Sequence, residues 1–230
     1  MRRASARRGR ALAGALLGLA LAQGAARAQE YGGFRSGAPG AFDFYVLALS
    51  WSPTWCGGEG GARERDGQCR PGRGLGFVVH GLWPQYARGY PTNCASAERG
   101  LTPAAMEAAG AIMPSPGLAR HEWRAHGTCS GLDPVRYFQA VRRAREAVTI
   151  PQAYRNPSEA SRASPPEIAR AFVEANPGLR TDMMAVTCRR GALHEVRVCF
   201  ARDLRGFTAC PSVARQGCRG GGEVAIEAAR

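Results

Sequence analysis

The histidines are the residues whose chemistry stands out first in this sequence. The chain has four, and three of them lie in two short segments, with His80 in one and His121 and His126 in the other. If the second segment is helical, Glu122 and His126 share one face, about 40° apart. His121 and His126 are then about 140° apart, which excludes the joint metal chelation of an H-E-x-x-H pair. Two imidazoles that titrate near neutral pH remain, with a carboxylate beside the second.

Two such imidazoles suit the cleavage of a phosphodiester by an internal hydroxyl group. One removes a proton from the nucleophile and the other delivers a proton to the leaving oxygen. Attack by the ribose 2′-OH would restrict cleavage to RNA. We expect Glu122, if it lies near, to orient His126 and to raise its pKa. The alternatives are structural histidines with a helical salt bridge, or a metallohydrolase that loses its activity in chelator.

Length and composition limit the classes of protein to which this chain can belong. The chain has 230 residues, of which 45% are hydrophobic and 21% are charged, so it can bury a real core and is neither disordered nor fibrous. Its net charge is +13, and every basic residue is an arginine. This charge favours a polyanionic partner or a membrane surface.

The N-terminus has the pattern of a secretory signal peptide over residues 1–28. Met1–Arg10 is rich in arginine, Ala11–Ala22 is apolar, and Ala26–Ala28 fits a cleavage site. A retained membrane anchor is the alternative. Cleavage would remove six arginines and no acidic residue, which leaves a net charge of +7. We therefore expect residues 29–230 to form the mature protein, secreted or periplasmic, without a membrane span.

The cysteines agree with export. Eight of them, an even number, lie in the expected mature chain. In an oxidising compartment this predicts four disulfides, whose connectivity the spacing leaves open. A zinc site is the alternative, but it usually shows paired C-x-x-C ligands, and this chain has none. The cysteines are Cys56, Cys69, Cys94, Cys129, Cys188, Cys199, Cys210 and Cys218.

The strands and helices expected from the sequence indicate a single α+β domain that carries the histidine segments. Phe42–Trp51 is apolar on both alternating faces, as in a central strand. Gly76–His80 follows as a second strand, and Met183–Cys188 and His194–Phe200 as later ones. Strands at both ends with helices between them predict a mainly antiparallel sheet with helices packed on it. Capping residues and prolines predict helices from Thr102 to about Ile112, Pro116 to near Gly127, Asp133 to Val148 and Ser164 to Asn176.

Two segments resemble the active-site segments of the ribonuclease T2 family. Phe77–Pro84 (FVVHGLWP) resembles the first, and His121–Cys129 (HEWRAHGTC) resembles the second. Leu193–Cys199 is similar to the family's C-terminal region, so that the resemblance covers residues 42 to about 218. It implies an α+β fold around an antiparallel sheet. It also implies an endonuclease that cleaves single-stranded RNA by transesterification to 2′,3′-cyclic phosphate ends, without a metal or other cofactor.

The resemblance also implies a role for each matched residue. His80 is the general acid for the 5′-oxygen, His126 is the base for the 2′-OH, and Glu122 is a carboxylate that assists at the phosphate. His121 contacts phosphate and Trp83 contacts the base and ribose, with core packing as the alternative for Trp83. We expect a monomer that cleaves RNA and spares DNA. The implied disulfides are Cys56–Cys69, Cys94–Cys129, Cys188–Cys218 and Cys199–Cys210.

One position departs from the family pattern. The family usually has a lysine or arginine immediately before the second histidine, and this chain has Ala125. At i+3 from Glu122 this position faces the catalytic side, whereas Arg124 lies about 200° around the helix from Glu122 and points away. Either another arginine supplies the charge, or the enzyme is slow. The alternative function is a weak or inactive relative that acts as a basic RNA-binding or envelope protein.

Overall fold

The computed structural model describes residues 37–58 and 67–229, so the expected signal peptide lies outside the described residues. Over these ranges the chain forms six strands and six α-helices. No helix in them is long and apolar enough to cross a membrane. The strands are β1 Phe44–Trp51, β2 Phe77–Gln85, β3 Ser161–Ala163, β4 Met184–Arg189, β5 Ala192–Ala201 and β6 Val224–Ile226. The helices are α1 Ser52–Gly57, α2 Pro103–Gly110, α3 Pro116–Ala125, α4 Pro134–Glu146, α5 Pro165–Ala175 and α6 Pro211–Ala214.

The strands form one sheet in the order β2-β1-β5-β6-β3, and β4 also pairs with β5. β1 pairs antiparallel with β2 and β5, and β4 pairs antiparallel with β5. Seven of the eight residues of β1 are buried, which confirms the predicted central strand. The predicted strand Gly76–His80 is too short, because pairing with β1 continues to Gln85. The mainly antiparallel α+β domain is confirmed.

Helices α2 to α5 begin where the sequence predicts. In each, a Ser, Thr or Asp side chain accepts a hydrogen bond from a backbone N–H of the first turn, and a proline follows it. Each helix ends one or two residues earlier than predicted. The capping residues are Thr102, Ser115, Asp133 and Ser164.

The main core lies between the sheet and the helices. Leu47 and Leu49 of β1 are fully buried, as are Tyr137 and Phe138 of α4. They belong to one apolar cluster, in which each large side chain contributes about 2 kcal/mol by leaving water. The Tyr137 hydroxyl donates a hydrogen bond of 2.9 Å to the carbonyl of Leu82 in β2. Helix α4 therefore supports the strand that carries His80.

Four disulfides connect the described cysteines. Cys94–Cys129 joins the segment after β2 to the residues that follow α3. Beside it, the carbonyl of Ala125 accepts hydrogen bonds from the Asn93 N–H and the Thr92 hydroxyl. The other pairs are Cys56–Cys69, Cys188–Cys218 and Cys199–Cys210, and all four are the pairs that the family resemblance implies.

Candidate active site

A β-bulge in β2 sets the direction of His80. Ala48 of β1 pairs with Gly81, and the next residue, Leu49, pairs with Val79. His80 is therefore an extra residue without a partner in β1. Because a bulge interrupts the regular alternation of side chains, it can re-aim one of them without ending the strand. This one directs the imidazole of His80 toward a buried carboxylate of β5.

Helix α3 brings Glu122 to the site and ends before His126. The last helical residue is Ala125, and His126 has φ −127° and ψ −44°. The prediction that the helix runs through His126 to Gly127 is wrong, because the backbone turns there into a short 3-10 segment. Glu122 and His126 are therefore not neighbours on one helical face.

The Glu122 carboxylate contacts β2. Its side chain is 1% exposed, and Oε2 accepts a hydrogen bond of 2.7 Å from the Trp83 indole N–H. Oε1 lies 3.5 Å from His80 Nε2 and has no hydrogen-bond partner in the described ranges 37–58 and 67–229. Burial raises the pKa of Glu122 to about 7. The expectation that Glu122 orients His126 and raises its pKa is wrong, since the contacts of this carboxylate are with Trp83 and His80.

His80 lies between two carboxylates. Its Nδ1 is 2.6 Å from Glu195 Oε1, and its Nε2 faces Glu122. Burial acts to lower the pKa of His80, but the hydrogen bond to Glu195 and the two negative charges outweigh it. The net effect raises the pKa of His80, which favours the imidazolium form.

His126 has the opposite electrostatic environment. Its ring centre is 5.3 Å from that of Trp83, and the His80 ring centre is 5.2 Å from the same indole. Its Nδ1 is buried, and no described residue makes a hydrogen bond to it. Burial, together with the positive charges of His80 and His121, lowers the pKa of His126 to about 3. A neutral His126 can therefore face a protonated His80 across one indole, which is the state that an acid–base pair needs.

His121 lies on the exposed side of α3 at a cavity of about 390 Å³ that His80 also lines. Burial, and then the charge of His80, lower the pKa of His121. Trp55 and Gln68 line this cavity and also a second one of about 490 Å³, so that the two adjoin. The rim of the second includes Arg70, Arg189 and Arg190.

Three residues of the site are not among those predicted from the sequence. Glu195 was named only within a strand that resembles the family, and Ser50 and Arg197 were not predicted at all. The Glu195 side chain is 1% exposed and receives hydrogen bonds from both Ser50 and Arg197. A signal was present, because charges at 195 and 197 alternate with apolar residues in a predicted core strand.

The surroundings of Ala125 agree in part with the expectation that Arg124 points away and that another arginine supplies the charge. Arg124 is exposed, as predicted, and Ala125 is 9% exposed. Arg197 is an arginine that the fold brings to the site from β5, with its guanidinium carbon 5.1 Å from the centre of the Trp83 ring.

Gly81 is required for the approach of α3 to β2. A Cβ at this position would overlap the Glu122 carboxylate and come within 2.5 Å of Trp83 Nε1. We expect Gly81→Ala to lower the free energy of unfolding by about 1–3 kcal/mol through overpacking. We also expect it to lower kcat/KM for RNA by roughly 10²-fold, because the side chains at the site would move. Urea denaturation and initial rates measure the two effects.

The matched control for this prediction is Gly100→Ala. A Cβ at Gly100 would meet no atom within 4 Å, so both quantities should stay unchanged. Full activity in Gly81→Ala would contradict the idea that this close approach is needed.

The fold and the site together define an α+β protein in which two histidines and two buried carboxylates are clustered beside an antiparallel sheet. The chain belongs to the Ribonuclease T2 family, whose family model matches residues 42–210. The resemblance noted in the two active-site segments is confirmed.

Individual relatives agree with this assignment. A ribonuclease of Aeromonas hydrophila is 50% identical over 103 residues, which are 45% of this chain and 45% of that protein. Ribonuclease I of Escherichia coli is 30% identical over 148 residues, 47% of this chain and 55% of that protein. The match therefore spans about half the length of these relatives. Ribonuclease MC of Momordica charantia is 30% identical over 181 residues, 70% of this chain and 91% of that protein.

Solved structures share the fold. RNase NT in complex with 5′-AMP superposes with a TM-score of 0.60 at 25% identity, over 81% of this chain and 97% of that chain. An RNase-related protein from Calystegia sepium superposes with a TM-score of 0.64 at 22% identity, over 82% of this chain and 98% of that chain. The second comparison supports the α+β fold alone.

Proposed function

We propose that this chain is an endoribonuclease that cleaves single-stranded RNA by metal-independent transesterification. His126 is the general base, His80 is the general acid, and Glu122 assists at the phosphate. The observation that carries the proposal is the pair of imidazoles on one indole, with the pKa of His80 raised and that of His126 lowered to about 3. Between these two pKa values both histidines are in the protonation state that the reaction needs.

In the reaction the RNA gives one proton to His126 and receives one proton from His80. His126 takes the proton of the ribose 2′-OH, and the 2′-oxygen forms a bond to phosphorus. The bond from phosphorus to the 5′-oxygen breaks, and the leaving oxygen takes a proton from Nε2 of His80. The products carry a 2′,3′-cyclic phosphate end and a 5′-OH end. DNA lacks the nucleophile and is spared.

Glu122 serves the phosphate in its protonated form. With a pKa of about 7, the carboxyl group carries a proton at acidic pH, and Oε1 has no hydrogen-bond partner among the residues that the structure describes. It can therefore donate a hydrogen bond to a non-bridging phosphate oxygen, where charge develops. His121 contacts a phosphate in the cavity that it lines together with His80, and Trp83 contacts the base and ribose beside the two imidazoles.

The RNA strand extends from the site into the adjoining cavity. Its arginine rim suits the phosphates of neighbouring nucleotides. We further propose that residues 1–28 are a cleaved signal peptide and that residues 29–230 act as a secreted or periplasmic monomer. The four disulfides suit an oxidising compartment.

The test of this function uses the oxidised mature protein in EDTA from pH 4 to 8. The substrates are a single-stranded RNA, the matched DNA, and the same RNA with one 2′-deoxy nucleotide at the main cleavage site. We expect cyclic phosphate ends on the RNA alone and no cut at the 2′-deoxy position. RNA that is bound but stays intact at every pH would favour the RNA-binding alternative that Ala125 suggests. Loss of activity in EDTA would instead indicate a metallohydrolase.

Restoring a cation at position 125 is expected to raise turnover. We expect Ala125→Lys to increase kcat on RNA by up to about 10²-fold, because a single stabilising group for developing charge is worth that much or more. Arg124→Ala is the neighbouring control and should change kcat by less than about twofold, since that side chain is exposed. An unchanged kcat in Ala125→Lys would show that another cation already stabilises the phosphate.

A further inference from the structure

We propose that Glu195 is the positioning residue of His80. Its buried carboxylate accepts the Nδ1–H of the imidazole and thereby leaves Nε2 as the nitrogen that faces the reacting phosphodiester. This inference rests on the proposed role of His80 as the general acid. It adds to that role a residue from a different part of the chain, 115 positions away.

The hydrogen bonds of Glu195 hold its carboxylate in one orientation. Oε1 accepts from the Ser50 hydroxyl at 2.9 Å and lies 2.6 Å from His80 Nδ1. Oε2 accepts from Arg197 Nε at 2.9 Å and lies 2.8 Å from its Nη2. Both oxygens are thus engaged, and a rotation of the carboxylate would break several of these bonds at once.

The partners of Glu195 stand on rigid strands. Ser50 of β1 is directly opposite Glu195 in the antiparallel pairing, and Arg197 is two residues further along the same face of β5. Adjacent strands hold such side chains more firmly than loops do. The carboxylate is therefore placed by the centre of the sheet, while His80 reaches it from the bulge in β2.

This arrangement determines which nitrogen of His80 does the chemistry. A ring nitrogen that donates to a fixed carboxylate is occupied, so the other one faces the substrate. In this structure the other nitrogen, Nε2, is 3.5 Å from Glu122 Oε1, at the place proposed for the phosphate. The short bond between opposite charges also favours the protonated imidazole, which is the form that a general acid needs.

Several charged or titratable groups face His80. From α3 and the residues after it come His121, Glu122 and His126, and from β5 come Glu195 and Arg197, while the charge of His80 also reaches His194, next to Glu195 in β5. Burial is the largest cause that lowers the pKa values of the other three histidines, and nearby positive charges, that of His80 among them, add to it, which favours their neutral forms. The partners' positive charges hold the pKa of Glu195 far below its usual range despite burial. Glu195 raises the pKa of His80 and Arg197 lowers it, so that removing each should act in opposite directions.

The experiment compares Glu195→Gln with Arg197→Gln. The His80 pKa is measured by NMR of its ring nitrogens, and kcat/KM on RNA is measured against pH. We expect the His80 pKa, and with it the alkaline limb of the rate profile, to move down in Glu195→Gln and up in Arg197→Gln. At neutral pH, kcat/KM of Glu195→Gln should fall by roughly 10–100-fold. The exposed Glu174→Gln is the control and should change neither quantity.

A purely structural role for Glu195 would lower the rate equally at every pH and leave the His80 titration in place, and this result would overturn the proposal. Shifts of the same sign in the two variants would overturn it as well. If Glu195→Gln does not fold, the upward shift of the His80 pKa in Arg197→Gln is by itself a test of the contact between Glu195 and His80. The NMR titration needs no catalysis. A wild-type protein that does not cleave RNA would therefore refute the proposed function without deciding the contact between Glu195 and His80.

Discussion

Replacing His126 with alanine is expected to lower kcat/KM for single-stranded RNA by roughly 10³-fold, the range typical of a lost general base. The fold should survive, because Nδ1 of this imidazole has no hydrogen-bond partner in the described part of the chain that the substitution would leave unpaired. Binding of RNA should also survive, since the cavity beside His80 and His121 is not lined by His126. Single-turnover rates and a separate binding titration distinguish the two effects.

His194→Ala is the matched control for this experiment. It removes a histidine of β5 that lines the adjoining cavity and is not one of the proposed acid–base pair, so we expect the single-turnover rate at saturating RNA to change by less than about threefold. Its hydroxyl neighbour, Thr187, is 3.5 Å from the ring, so that only a weak contact is lost. An equal loss of activity in both variants would contradict the assignment of His126 as the base.

The same assignment predicts the pH profile of the wild-type protein. The base must be deprotonated, so kcat/KM rises as the pH passes upward through the pKa of His126, about 3. The acid must be protonated, so kcat/KM falls as the pH passes upward through the raised pKa of His80. We therefore expect a plateau across mildly acidic pH, and its alkaline limb reflects the loss of the Glu122 proton, with a pKa of about 7, together with that of His80, whose pKa is raised.

Removing the Cys94–Cys129 disulfide is expected to lower the free energy of unfolding by about 3–4 kcal/mol. The bond closes a separation of 35 residues, and a cross-link of that length strongly restricts the unfolded chain. Both sulfurs belong to buried residues, so a Cys94→Ala/Cys129→Ala variant also loses packing. Urea denaturation of the oxidised protein measures the effect.

This disulfide should also affect catalysis. It holds the segment with Thr92 and Asn93 against the carbonyl of Ala125, one residue before His126. We expect kcat/KM on RNA to fall by about tenfold in the double variant, because the base is held less firmly. The control is Cys188→Ala/Cys218→Ala, whose bond closes a similar separation of 30 residues at β4. It should lose similar stability and keep its activity, and a loss of activity in the control alone would refute this idea.

Residues that are close along the chain were enough to predict much of the fold. The starts of α2 to α5 follow from a capping side chain and a proline within a few residues. The central strand β1 follows from a short run that is apolar on both alternating faces, as expected of a strand that is buried on both sides. The residues of the two histidine segments are close along the chain, and their types and spacing likewise indicate acid–base chemistry and the family.

The relative placement of the site residues was decided by tertiary structure. A bulge at His80 depends on how β2 pairs with β1, and this register is a property of two strands rather than of one. The contact between His80 and Glu195 joins residues 115 positions apart. Glu122 contacts Trp83 and His80 rather than His126 because α3 ends at Ala125 and approaches β2 over a glycine. Sequence determined which groups could do acid–base chemistry, because that depends on residue type. Only the packed sheet and helix decided which group faces which, because pairing register and close approach are set between distant segments.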